Sequence, residues 1–167
     1  MSVIAAKVKK NFGTIQIAAD SIILRGQTNR KYTKLIKVNE MILGGVGLAE
    51  EISLMFRYAQ THRPETPTER DVLAFMVDFL SWKKDYSGGN IENYYLLAYK
   101  GHLFVIEHLL VREVNDYEAI GAGEEYALAA LYLGKTPEEA VKVACDLCCY
   151  VAEPIIKYDM NMEEMVE

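Results

Sequence analysis

Ser2 stands directly behind Met1. Removal of the methionine would leave a chain that begins with serine, and a terminal serine carries its own base. Its hydroxyl is a poor nucleophile at neutral pH, but an α-amine that titrates at about pH 8 can take the proton, directly or through one water. No histidine is then required. Lys34 is the second residue whose position implies chemistry. The run Lys31 to Val38, KYTKLIKV, reads as an alternating strand with Tyr32, Lys34, Ile36 and Val38 on one face. A lysine on an apolar face has to be paired or desolvated, which makes its charge functional or costly. Cys145, Cys148 and Cys149 fall at i, i+3 and i+4, near one face of a helix, and read as reduced, mostly buried thiols. His62, His102 and His108 lie far from them without ligand spacing, so neither a metal nor a cofactor is expected.

These residues need elements to hold them. Val3 to Val8 and Ile15 to Ala19 read as a hairpin turning through Lys9 to Gly13, which returns Asp20 towards Ser2. Met41 to Gly47, MILGGVG, is a nearly continuous apolar strand, the pattern of burial on both faces. From Leu48 the period becomes helical, with Glu50 and Glu51 in the first turn where the helix dipole favours acids. Pro64 and Pro67 separate this helix from a second one, capped by Thr66 or Thr68 and carrying Val72, Phe75, Met76, Phe79 and Leu80 as its buried stripe.

Asp85 to Asn93 is loop, and Tyr94 to Tyr99 with Leu103 to Ile106 form another hairpin. Tyr117 to Gly121 is a short strand, followed by a helix over Glu124 to Leu133 that Gly134 stops. The last helix opens on Thr136 and Pro137, with Glu138 and Glu139 in its first turn, and runs to Pro154. Ile155 to Glu167 could add a final strand, with Asp159 to Glu167 prone to fray. Strands, two helices, strands and two helices give an α+β chain: either two sheets with helices outside them, or one sheet under a helical layer.

The 167 residues fit a single domain, 1–167, and 51% hydrophobic with 25% charged residues is a globular composition. A formal charge of -6 with scattered Lys and Arg excludes a broad phosphate-binding face, so no nucleic acid is expected as partner. No charged leader precedes an apolar signal core and no apolar run approaches the roughly 20 residues that span a bilayer. A cytoplasmic protein without a membrane partner is the expectation. The apolar helix faces around Leu54 to Tyr58 and Phe75 to Leu80 suggest contact between subunits.

Four segments, in order, resemble the proteasome β-subunit and HslV-like peptidases in their short form with nothing ahead of the nucleophile but methionine. They are SVI at Ser2, IAADS around Asp20, KLIKVNEMILGGVG from Lys34, and YEAIGAGEEYALAALYLGKTPEEAVKVACDLCCY from Tyr117 to Tyr150. The resemblance implies a four-layer αββα sandwich of N-terminal nucleophile hydrolase type and amide hydrolysis of peptides or unfolded protein. It also implies a homo-oligomeric ring, hexamer or heptamer and stacked in some relatives, with an ATP-dependent unfoldase as a partner to be sought. Residue by residue, Ser2 takes the place of the family's terminal threonine and Asp20 that of the aspartate orienting the active-site lysine. Lys34 matches that lysine, Asp146 the late-helix aspartate that holds the amine, and Gly47 or Leu48 the oxyanion donor.

The chain departs from the family at Ala122, where a serine is usual in the GSG motif, and at Cys149, three residues after Asp146. Ile22 stands where an arginine is common. These departures leave an alternative, a catalytically degenerate ring-forming structural relative.

Overall fold

The computed structural model describes residues 1–162. The first strands follow the hairpin pattern: β1 (Val3–Lys9) and β2 (Thr14–Ala19) are joined by a 3-10 turn over Lys10–Phe12 that Gly13 closes. A ribbon of β3 (Ile22–Arg25) and β4 (Thr28–Lys31) follows, then β5 (Leu35–Val38) and β6 (Met41–Val46). Two helices come next, α1 (Ala49–Ala59) and α2 (Glu69–Lys83), with Thr68 accepting from the Asp71 amide as the cap of the second. The second half contains β7 (Tyr94–Tyr99), β8 (His102–Glu107), β9 (Leu110–Val114) and β10 (Tyr117–Gly121). It ends with α3 (Glu124–Tyr132), α4 (Pro137–Leu147) and β11 (Ile156–Asn161). The end of the suggested final strand, 163–167, lies outside the described residues.

Apart from the two-stranded β3-β4 ribbon, the strands form two antiparallel sheets, one in the order β10-β1-β2-β11 and the other β5-β6-β7-β8-β9. Side-chain alternation along β1 explains the layers. Ile4 and Ala6 point to the second sheet and pack with Ile15, Ile17, Leu35, Ile42, Leu96 and Val105. Val3 and Ala5 point the other way, onto Ala127, Ala130 and Leu131 of α3 and Ala140, Val141 and Ala144 of α4. The far face of the second sheet, with Leu43, Tyr95, Leu97 and Phe104, is covered by Met55 and Tyr58 of α1 and Phe75, Met76 and Phe79 of α2. The architecture is therefore the four-layer αββα sandwich. Each fully buried Ile or Leu in these layers contributes about 1.5–3 kcal/mol.

Four expectations change. Lys34 does not lie on a strand face: strand geometry breaks between Lys31 and Leu35, where the chain leaves the ribbon for the second sheet. The last helix stops at Leu147, well before Pro154, so Cys145 alone of the three cysteines is helical. Cys148 is the buried C-cap residue and Cys149 is exposed. The apolar faces of α1 and α2 are largely consumed by the second sheet, so they do not by themselves call for a partner subunit. Among the described residues no helix is long and apolar enough to cross a membrane.

Candidate active site

Strand register brings the first two site residues together. Ile4 pairs with Ala19, so the chain beyond each strand end meets the other: the Asp20 amide donates to the Val3 carbonyl at 3.2 Å, and the Val3 amide donates to Asp20 Oδ1 at 2.9 Å. Lys34 arrives from the break before β5, its carbonyl accepting from the Gly45 amide at 3.0 Å. Its ammonium donates to Asp20 Oδ1 at 2.9 Å, to Oδ2 at 2.8 Å and to the Met1 carbonyl at 3.3 Å. All three donors of the ammonium are thus used. Ser2, Asp20 and Lys34 are 3%, 0% and 2% exposed.

Burial pulls the Lys34 pKa below the ordinary lysine value of 10.5, against the charge and hydrogen bonds of Asp20, which push it back up. Stripping two ions of water costs several kcal/mol each, so the pair persists only because its geometry is good and its remaining polar atoms are engaged.

The other edge of Ser2 is fixed by β10. Val3 pairs with Gly121, and the Gly123 amide donates to the Ser2 carbonyl at 3.2 Å. Gly121 has φ +104°, and a Cβ there would lie 2.3 Å from the Ser2 carbonyl oxygen, so no other residue fits that approach. Beside Ser2 opens a cleft of about 390 Å³ whose walls include Gly47, Tyr94, Gly121, Ala122 and Glu124. Glu124 accepts from the Gly121 amide at 3.0 Å, and burial holds its carboxyl above the usual range.

Of the sequence-derived residues, Ser2, Asp20 and Lys34 form one buried cluster and Gly47 stands on the wall of the adjoining cleft. Asp146 does not join them. Its side chain is 58% exposed and pairs with Lys142 at 2.8 Å, a surface contact worth about 0–1 kcal/mol. The helix phase explains this: α4 buries Ala140, Val141 and Ala144, and two residues beyond Ala144 is about 200° around the axis. Cys145 is the α4 residue whose thiol feels the buried pair. Burial first, then the charge of Asp20, raises it to about 11, so it stays a neutral thiol.

The Leu48 amide is also not free to act. It donates to Asn93 Oδ1 at 2.6 Å, and Asn93 Nδ2 returns a hydrogen bond to the Leu48 carbonyl at 2.9 Å. Asn93 is tied to Glu51, which accepts from the Asn93 and Glu92 amides at 3.2 and 2.9 Å and from the Tyr95 hydroxyl at 2.9 Å. Glu51 faces buried Lys83 at 3.5 Å, and Lys83 also donates to the Gly88 and Asn90 carbonyls at 3.0 and 2.7 Å. Burial and the adjacent Glu51 charge raise the Tyr95 phenol well above its ordinary value.

From sequence alone Glu51 has only a dipole role, and Lys83 and Asn93 have none. A signal existed: Glu51 is four residues before Met55, and Lys83 four after Phe79, so both fall on the buried stripe of their helix.

No family model matches the chain. The ATP-dependent protease subunits HslV of Helicobacter pylori strain G27 and of Helicobacter acinonychis strain Sheeba are each 33% identical to it over 93 residues. That match takes in 48% of this chain and 52% of each relative, so the chain spans about half the length of the curated relatives it matches. Among solved structures, Thiobacillus denitrificans BPH in complex with epoxomicin superimposes with a TM-score of 0.86 at 19% identity, over 96% of this chain and 98% of that one. BPH on its own gives 0.83 at 20% identity with the same coverage. The resemblance to HslV- and proteasome β-type N-terminal nucleophile hydrolases holds, and the fold is theirs.

Proposed function

We propose that the chain is an N-terminal nucleophile peptidase that uses Ser2 after removal of Met1, cleaving short or unfolded peptides. The observation that carries this reading is the buried Asp20–Lys34 pair, hydrogen-bonded both to the Val3 amide and to the carbonyl of the Met1–Ser2 peptide bond.

With Met1 gone, the Ser2 α-amine takes the proton from Oγ while Oγ attacks the substrate carbonyl. The Lys34 cation favours the oxyanionic form of the hydroxyl and lowers the proton affinity of the amine, and Asp20 keeps that cation in position. The Gly47 amide, on the cleft wall, is the donor available to the tetrahedral oxyanion; such a donor is worth about 3 kcal/mol. Collapse breaks the C–N bond, the ammonium returns its proton to the leaving amine, and the acyl group stays on Oγ as an ester. Water, deprotonated by the same amine, then releases the acid.

The name of the Helicobacter relatives, subunits of an ATP-dependent protease, supports assembly with other subunits and service by an ATP-driven partner. In this reading the assembly is a hexameric or heptameric ring, the partner an unfoldase, and the compartment the cytoplasm. Exposed Tyr132, Leu133 and Leu147 supply apolar area for such contacts. A second reading, an inactive ring-forming scaffold, is favoured by Ala122 and by the outward position of Asp146, which leave the amine fewer partners.

Peptide turnover by protein with and without Met1, followed against pH, separates the two. Protein that begins at Ser2 is expected to hydrolyse fluorogenic peptides, and protein that keeps Met1 to be inert, because an amide nitrogen is no base. The rate should rise as the amine loses its proton and fall again as Lys34 loses its own, since neutral lysine no longer supports the nucleophile. That alkaline limb lies below 10.5, because burial lowers the Lys34 pKa. A rate level through 10.5 would count against Lys34, and equal rates with and without Met1 against the terminal base.

A further inference from the structure

We infer that Asn93 is a positioning residue that sets the Gly47 amide at the angle the oxyanion requires, an inference that rests on the peptidase reading. Leu48 opens α1 as its N-cap residue without a polar side chain, and Asn93, 45 residues away, holds the Leu48 backbone itself. Its amide group grips both polar atoms of one residue, accepting from the Leu48 N–H at 2.6 Å and donating to the Leu48 carbonyl at 2.9 Å. The first contact fixes the plane of the Gly47–Leu48 peptide and the second that of the Leu48–Ala49 peptide. The Gly47 N–H lies in the preceding Val46–Gly47 peptide, so Gly47 is set between the end of β6 at Val46 on one side and the Asn93-held Leu48 peptide on the other. With φ +122° and a would-be Cβ 2.3 Å from Asn93 Oδ1, only glycine fits against that clamp.

The clamp is itself anchored. Glu51 holds the amides of Glu92 and Asn93 with both carboxylate oxygens, and Glu51 and Lys83 are 2% and 3% exposed. Buried ions of this kind restrict motion, since any shift leaves a charge or a backbone amide without its partner. The segment after Lys83, the last residue of α2, with the loop Asp85 to Asn93, is thereby tied to the first turn of α1. The Gly47 turn borrows its rigidity from that tie, and preorganised donors of this kind need no reorganisation as charge develops.

A helix cap acting for stability alone would change melting and leave catalysis untouched, so the test reads both. With Met1 removed, wild-type and N93A proteins are compared for peptide kcat and KM, for affinity towards a peptide boronate that mimics the tetrahedral intermediate, and for Tm. The expected result is a kcat lower by about 100-fold, KM within about threefold, and boronate affinity weakened in step with kcat. Should N93A not fold, N93L takes its place. It keeps the branched shape of the side chain without adding a charge but has neither an acceptor for the Leu48 amide nor a donor for the Leu48 carbonyl, and a kcat loss of the same size is expected. Active wild-type protein with a variant kcat within threefold overturns the positioning role alone, as does a loss confined to KM or to Tm. Wild-type protein that turns over no peptide overturns the peptidase reading and this role with it.

Discussion

Ser2→Ala is expected to abolish peptide turnover, by at least about 10⁴-fold, while leaving the fold intact. The hydroxyl is the only atom removed, and the backbone of Ser2 is held by bonds the substitution does not touch: its carbonyl accepts from the Gly123 amide at 3.2 Å and its neighbour Val3 is bound to Asp20. Lost stability should stay within about 1 kcal/mol, no more than an ordinary hydrogen bond contributes. A large loss of rate without a large change in Tm is the signature of a nucleophile, whereas a passive strand residue would show neither. Turnover that survives in the variant would remove Ser2 from the chemistry, and with it the terminal amine as base.

Asp20→Ala should be the most destabilising single change in the site. It leaves the Lys34 ammonium buried without a carboxylate, with only the Met1 carbonyl as partner until Met1 is removed, and strips the Val3 amide of its acceptor. Breaking one side of a buried ion pair costs about 3–5 kcal/mol, which lowers the Tm of a domain this size by on the order of 10 °C. Turnover should vanish as well. Combining Asp20→Leu with Lys34→Met removes both charges, so it should recover much of the stability and none of the activity. If the pair were only structural, Asp20→Ala would lose stability while the remaining folded fraction hydrolysed peptides at the wild-type rate. Thermal melting and rates normalised to folded protein distinguish these outcomes.

What the sequence revealed depended on how local each signal was. The β1–β2 hairpin carries its turn residues and alternation within Val3–Ala19, and the α4 entrance is a complete capping box, Thr136 with Glu139, at 3.2 and 2.8 Å. Such features need no distant partner to form. The choice between one sheet and two could not be made from periodicity, because it depends on Ile4 and Ala6 facing Leu35, Ile42 and Leu96 across the interior. Lys34 is marked by strand alternation, a reason the structure replaces. It is buried because the chain breaks before β5 and turns it towards Asp20, and strand alternation has no part in it.

Asp146 matches a family position in sequence, yet the phase of α4 turns it to Lys142. Alignment reports position along the chain and carries no information about rotation about a helix axis. Glu51, Lys83 and Asn93 were obscured because charge and amide groups ordinarily indicate solvent. Only their spacing within otherwise buried stripes marks the first two, and Asn93, read as loop, shows its role through contacts 42 and 45 residues away.

The most direct measurement is the intact mass of protein that begins at Ser2, taken before and after incubation with a peptide epoxyketone, followed by peptide mapping. A nucleophilic terminal serine should gain one inhibitor mass per chain, located on the peptide that starts at Ser2, and the Ser2→Ala protein should gain none. A chain with a free Ser2 terminus that remains unmodified, or that is modified elsewhere, would contradict the peptidase account and leave the inactive ring-forming scaffold as the reading of this fold.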